Sequence, residues 1–279
     1  MIVSYNEKHF EEVSRLIKNT TAILVWGKKA LETVVALDKD KVIGVGGMYS
    51  NEMHPNRSYI GIYVDPIYRR QGIGTDMFIA LKQKSENNDF QATISSKNNE
   101  GTLFLESLKF QLARKCYTPE LKKSTTDKWR DNTLKGISIE QVNEAVITQL
   151  ASLHLDNYKA AHEAINPLNE NMAARNWKDL IFQELDERHS TLLIKNNIIQ
   201  AYILCYETED KKEIEIAYIG GKDSNAVASY LPFYTEVIDQ LLNQYATVRI
   251  EADDVDPFAY AALNCYEYDD SESLNAYIL

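Results

Sequence analysis

Cysteine is scarce in this chain. Cys116, Cys205 and Cys265 are odd in number, far apart, and lack the paired CxxC spacing of a zinc site, so neither a metal centre nor a disulfide framework is expected. They read as buried thiols of a reducing compartment. Positive charge is also in deficit: 30 Lys and Arg stand against 41 Asp and Glu, a formal net charge of -11. That balance argues against a binder of nucleic-acid phosphates. It mildly favours a cationic or neutral partner, and solubility alone is the ordinary reading. No apolar run of membrane-spanning length occurs, nor a basic start followed by an apolar stretch. The expectation is a soluble cytoplasmic protein with no membrane partner.

The 279 residues, 44% of them hydrophobic, suffice for two ordinary cores. Ile2 to Tyr5 reads as a short strand, and Phe10, Val13, Leu16 and Ile17 repeat at helical spacing. After an irregular region around Trp26, the runs Thr33 to Leu37 and Val42 to Met48 form a hairpin about Asp38-Lys39-Asp40-Lys41. A third run, Ser58 to Val64, is stopped by Asp65-Pro66, since proline has no amide for a continuing ladder. An amphipathic helix from Thr75, a strand over Gln91 to Ser95, a helix over Glu100 to Leu108 and a run from Phe110 to Tyr117 complete the first half.

Residues 122–136 hold little that can be buried and are expected to link residues 1–121 to a second domain over 137–279. The second half repeats the order: two helices, a hairpin (Thr191 to Lys195, Ile198 to Tyr206), a strand (Glu213 to Ile219), a helix ending near Tyr245, a strand (Thr247 to Ala252), a short helix after Pro257, and Leu274 to Leu279. Lys41 to Tyr49 lies over Asn197 to Cys205, and Thr93 to Ser95 over Arg249 to Glu251, which suggests a duplication.

A strand that stops at Pro66 and feeds a glycine-bearing turn at a helix start aims free amides at one spot, where the helix dipole adds to them. Gly72 and Gly74 remove Cβ atoms that would hold a phosphate away, and Arg69 or Arg70 adds a charge-assisted bond. A nucleotide P-loop is disfavoured because Gly-Lys-Ser or Gly-Lys-Thr is missing.

Ile62-Tyr63-Val64-Asp65-Pro66 followed by Arg69-Arg70-Gln71-Gly72-Ile73-Gly74 resembles the acetyl-CoA motif of the GNAT N-acetyltransferases. The resemblance implies an α/β (α+β) fold of two tandem GNAT-like domains, each a mixed, mostly antiparallel sheet flanked by helices. It also implies acetyl-CoA as co-substrate. Main-chain groups of Ile62, Tyr63 and Val64 would hold the pantetheine arm and acetyl carbonyl, and amides of Gln71, Gly72, Ile73, Gly74 and Thr75 the pyrophosphate. Asn98 would stand near the CoA arm. The family's tyrosine acid falls on Leu105, which cannot donate a proton, and its usual glycine on Lys109.

Tyr117 is then a candidate acid, though a strand tyrosine is its commoner reading; Glu52 and His54 are candidate bases, the latter reading more readily as a solvated loop histidine. In the second half NAVASY, 225–230, replaces RRQGIG, so this half is expected not to bind CoA and to wall the substrate cleft instead. Gly220-Gly221-Lys222 reads as a mobile turn, and Glu251, Asp253, Asp254 and Asp256 as a solvated acidic loop that could attract an amine. The implied activity is acetyl transfer to a primary amine, of a small molecule or a peptide, by direct attack on the thioester. The alternative is a non-catalytic acyl-CoA-binding sensor or interaction module.

Overall fold

The computed structural model describes residues 1–18, 32–122, 135–172 and 174–279. The region around Trp26, and all of the expected linker except Lys122, Lys135 and Gly136, lie outside the described residues. The chain divides into two compact units. The first holds Met1–Ala113, Asn166–Asn169 and Asn275–Leu279, the second Arg114–Ile165 and Glu170–Leu274.

In the first unit, β1 (Ile2–Ser4) is followed by α1 (Phe10–Ile17), then β2 (Glu32–Asp38), β3 (Lys41–Tyr49) and β4 (Ser58–Val64). These strands pair antiparallel in sequence order, with Val3 opposite Val35, Val35 opposite Val45 and Val45 opposite Tyr63. After α2 (Ile73–Lys82), β5 (Phe90–Ser95) joins β4 in parallel. Strand alternation divides the side chains between two layers. Val35, Val42, Val45 and Tyr63 meet Val13, Leu16 and Ile17 of α1, while Val34, Ala36, Met48, Ile60 and Phe90 meet Met77, Phe78 and Leu81 of α2. Full burial of a valine, isoleucine, leucine, methionine or phenylalanine among these contributes about 1.5–3 kcal/mol.

Next comes α3 (Asn99–Ser107), whose end is closed by bonds from Phe110 N–H to Leu105 C=O (3.1 Å) and from Lys109 N–H to Glu106 C=O (2.9 Å). This is a Schellman motif with Lys109 at its left-handed position, φ 72°. It delivers Phe110 edge-on to Phe78, ring centroids 5.6 Å apart, at the start of β6 (Gln111–Tyr117).

The second unit runs β7 (Ile137–Ser138), α4 (Glu144–His162), α5 (Ala174–Phe182), β8 (Thr191–Lys195), β9 (Ile198–Glu207), β10 (Glu213–Gly221), α6 (Val227–Gln244), β11 (Thr247–Ile250), β12 (Ala252–Asp253) and α7 (Pro257–Leu263). The strands β7, β8, β9 and β10 pair antiparallel in order and β11 joins β10 in parallel, the succession of the first unit over again. β12 pairs with the end of β6, Asp253 opposite Cys116.

Gly220 and Gly221 are not a mobile turn. They close β10 and are buried, because the missing side chains admit rings onto the backbone. A Cβ on Gly220 would fall 2.2 Å from the Tyr202 ring, and one on Gly221 within 2.9 Å of the Tyr230 and Phe258 rings. The last strand, β13 (Leu274–Ile278), returns to the first unit, where Leu279 and Phe90 exchange main-chain bonds of 3.0 and 3.3 Å.

Candidate acyl-CoA site

The first unit's site is built from main chain. Asp65 N–H donates to Ile43 C=O (2.9 Å), and an antiparallel pair bonds at every second residue. Gly61 and Tyr63 therefore turn their main-chain groups to β3, while Ile60, Ile62 and Val64 turn theirs to the side of β5. Ser58, in step with them, does reach across, its N–H donating to Asp89 C=O (2.9 Å). Pairing with β5 then stops after Tyr59 and Gln91, and the two strands part. The Val64 carbonyl accepts from Arg69 Nε (3.0 Å). Both main-chain groups of Ile62 and the N–H of Val64 face the opened gap with no strand partner, an array that suits the amides of an extended arm and a carbonyl to be polarised.

At the end of β4, Asp65 accepts from Ile67 N–H (3.2 Å) and Tyr68 N–H donates to Asp65 C=O (2.9 Å), a tight turn into α2. Arg70 and Gly72 are left-handed, φ 62° and 82°. The first main-chain bond of α2 runs from Asp76 N–H to Gly72 C=O (3.0 Å), and the amides of Arg70, Gln71, Gly72, Ile73, Gly74 and Thr75 have no acceptor among the described residues. Free donors at a helix start make an anion site.

The two glycines differ in their reason. A Cβ on Gly72 would meet nothing within 4 Å, and the positive φ is what requires glycine there; a Cβ on Gly74 would stand 3.1 Å from the Phe104 ring, so Gly74 serves the packing of α3 on α2. The arginines divide too. Arg69 is tied to Glu100 and the Val64 carbonyl and lies over the Tyr63 ring, 5.5 Å from its centroid. Arg70 is exposed, and among the described residues no ion pair holds it, which leaves it available to a phosphate.

Asn98 Oδ1 accepts from Gly101 N–H (2.9 Å) and caps α3. Leu105, 4% exposed, belongs to the core beneath α2 and α3. His54 is no solvated loop residue: it is 5% exposed, and its Nδ1–H donates to the Pro167 carbonyl (3.2 Å). Glu52 is exposed, its carbonyl accepting from Asn169 Nδ2 (3.1 Å). Tyr117 belongs to the second unit, stacked on Tyr260 with centroids 6.1 Å apart, and its hydroxyl pKa is raised by burial foremost.

Two members of the second unit's acidic cluster, Asp253 and Asp256, are engaged by structure, which corrects their reading as part of a solvated loop, while Glu251 and Asp254 are exposed as that reading has them. Asp253, 7% exposed, accepts from Arg114 (2.9 Å) and from His162 Nε2 (2.7 Å). Asp254 accepts from Lys115 N–H (2.8 Å), and Asp256 caps α7 through Phe258 N–H (2.8 Å). Where the first unit opens a gap, the second fills it: Tyr234 hydroxyl donates to Gly220 C=O (3.0 Å), and no glycine turn precedes α6. Three buried polar side chains of the first unit leave little trace in the sequence: Thr33 and Gln91 are polar residues within otherwise apolar strand patterns, and Arg57 stands just before β4 with no pattern to mark it.

A sequence model of the Acetyltransferase (GNAT) family matches residues 3–110. No curated protein matches the chain in sequence. Among solved structures, a GCN5-related N-acetyltransferase from Sphaerobacter thermophilus superposes with TM-score 0.59 at 13% identity, covering 96% of this chain and 84% of its own. A GNAT-family acetyltransferase from Colwellia psychrerythraea gives 0.54 at 8% identity, covering 100% and 99%. A tandem GNAT protein from the clavulanic acid biosynthesis pathway, solved without AcCoA, gives 0.53 at 10% identity, covering 100% and 98%. At such identities the likeness is one of fold, and it extends over both halves. The matched residues contain the opened strand and the amide-lined turn, so residues 3–110 are similar to the Acetyltransferase (GNAT) family, and a tandem GNAT protein shares the fold of the whole chain.

Proposed function

We propose that the protein is a cytoplasmic enzyme that moves an acetyl group from acetyl-CoA to a primary amine of a small molecule or peptide. The observation that carries this is the parting of β4 from β5 just before a turn whose amides are free. The pantetheine amides pair with Ile62 and Val64, the pyrophosphate takes the amides of Gln71 to Thr75, and Arg70 adds charge. The amine lone pair forms the C–N bond as the C–S bond breaks. The CoA thiolate leaves with its electron pair, and the nitrogen's surplus proton passes to water. Holding both reactants in the gap replaces a bimolecular encounter with an oriented one, and the strand amides stabilise the developing oxyanion. The core position of Leu105 supplies no acid, and a thiolate is a leaving group good enough to depart without one.

Calorimetry with acetyl-CoA on the wild type and Gly72→Asp tests the site. The aspartate sets a carboxylate where phosphates must sit, so binding is expected to vanish; equal affinity in both proteins overturns the assignment. Release of CoA thiol in the presence of an amine panel separates the enzyme from a binding module, which would take up acetyl-CoA and turn nothing over.

A further inference from the structure

On one face of the first unit's sheet, polar side chains are buried without partners. Thr33, Arg57 and Gln91 are 8, 6 and 2% exposed, and Thr33 Oγ1, Arg57 Nε and Gln91 Oε1 have no hydrogen-bond partner among the described residues. Among the described residues Arg57 has no counter-charge. A buried guanidinium lacking one is costly, and a group kept at that cost calls for a partner, which an anionic ligand would supply.

Strand alternation puts the three on the face opposite α2. Val34, Phe90 and Ala92 lie in the α2 core, so their neighbours Thr33 and Gln91 face the other way. Ser58, the first residue of β4, turns its Oγ to Ser85 Oγ just past the end of α2 (3.0 Å), and carrying the alternation one residue back puts Arg57 on the opposite side. The register lines them up. Thr33, Gly47 and Gly61 form one row across β2, β3 and β4, and Tyr49, Tyr59 and Gln91 the next across β3, β4 and β5. The Tyr49 and Tyr59 rings stack, 5.0 Å apart and 20° from parallel. The first row crosses β4 beside Ile62, where the gap has opened, and its two glycines raise no side chain there.

We infer that this face receives the acceptor, and that the acceptor is a small primary amine carrying an anionic oxygen group, a carboxylate or a phosphate. The inference rests on the acyl-transfer reading above. The anionic group pairs with the Arg57 guanidinium, a donor-only fork that matches it. The amine N–H groups donate to Gln91 Oε1 and Thr33 Oγ1, which places the nitrogen beside Gly61 and Ile62. Successive inward residues of a strand stand about 7 Å apart, so the span from Arg57 to Gly61 suits a molecule of amino-acid to dipeptide size. Of the two, a carboxylate-bearing amine is neutral in solution as its zwitterion and is the better match to a chain of net charge -11.

The test compares CoA release with amino acids, the same amino acids as C-terminal amides, and phosphate-bearing amines. At least tenfold higher kcat/KM for the acids or the phosphates is expected, and which of the two leads identifies the anion. Arg57→Gln should abolish that preference while leaving acetyl-CoA affinity within twofold of wild type. Arg57→Met, which removes an unpaired buried charge, should raise the melting temperature of the ligand-free protein. Equal rates for acids and amides overturn the inference and leave acetyl transfer standing. If acetyl-CoA does not bind, the reading of the reaction fails by itself. Melting shifts by the acids and not the amides, lost in Arg57→Gln, would then still support the subsite, and their absence would sink it.

Discussion

Gly72 and Lys109 share a left-handed backbone, φ 82° and 72°, and pay for it differently. Glycine takes that conformation without steric cost; a lysine meets its own carbonyl there. Lys109→Gly should therefore stabilise the first unit by about 0.5–1 kcal/mol, the relief being partly offset by the freer unfolded chain. Denaturant melts would show it as a higher midpoint at unchanged slope. Gly74→Ala should cost about 1 kcal/mol through the 3.1 Å approach to Phe104, and Phe104→Leu should recover part of that in the double mutant. A lack of coupling would return Gly74 to the role the sequence suggested, clearance for phosphate. The motif itself was legible because Gly72 answers to a local conformation. The engagement of Arg69 by Glu100 was not, since it depends on where α3 lands.

Elements were readable wherever one face is apolar and the other wet. Ser58 to Val64 and Thr191 to Lys195 have the bounds their alternation implied. What periodicity hides is a polar residue whose partner comes from far along the chain: Asp253 meets Arg114 across 139 residues, so its acidic neighbourhood reads as a solvated loop. Burial works to raise the pKa of Asp253, but the His162 hydrogen bond and the Arg114 charge outweigh it and hold it below the ordinary value. Its contribution is thus present above about pH 4 and lost only as pH falls further. His154 titrates in a different window. Trp177 Nε1–H donates to its Nδ1 (3.0 Å), and burial, with His162 adding, depresses its pKa to about 3. Below the unfolded value of about 6.5 the unfolded chain takes up a proton that the native ring refuses, so stability falls with pH, by about 2 kcal/mol between pH 7 and pH 5. His154→Gln, whose amide oxygen can still accept from Trp177, should flatten that slope; an unchanged melting-temperature profile would refute it.

Across the whole molecule the same strand order occurs twice and carries a site once. The first unit leaves Ile62 and Val64 open, whereas the second closes Gly220 with Tyr234, so titration should give one acetyl-CoA per chain. The order of elements was visible in the hydrophobic pattern; the destination of the final strand was not, because pairing between residues far apart in sequence leaves no local trace. Asn275–Leu279 belongs to the first unit, where Leu279 bonds both ways with Phe90 at the point from which β4 and β5 diverge. Removing those residues strips β5 of a neighbour and exposes Phe90, which is fully buried, and Tyr277, 4% exposed, leaves the α2 core. Loss of a buried aromatic of this kind costs about 3–5 kcal/mol. A chain ending at Leu274 should therefore bind acetyl-CoA more weakly, although the cut lies 200 residues from Gly74. Acetyl-CoA at a hundred times its Kd contributes about 2.7 kcal/mol to a folded site, so high concentrations should partly restore the truncated protein's melting temperature. Binding that survives truncation with full affinity would show that β13 is dispensable to the gap between β4 and β5.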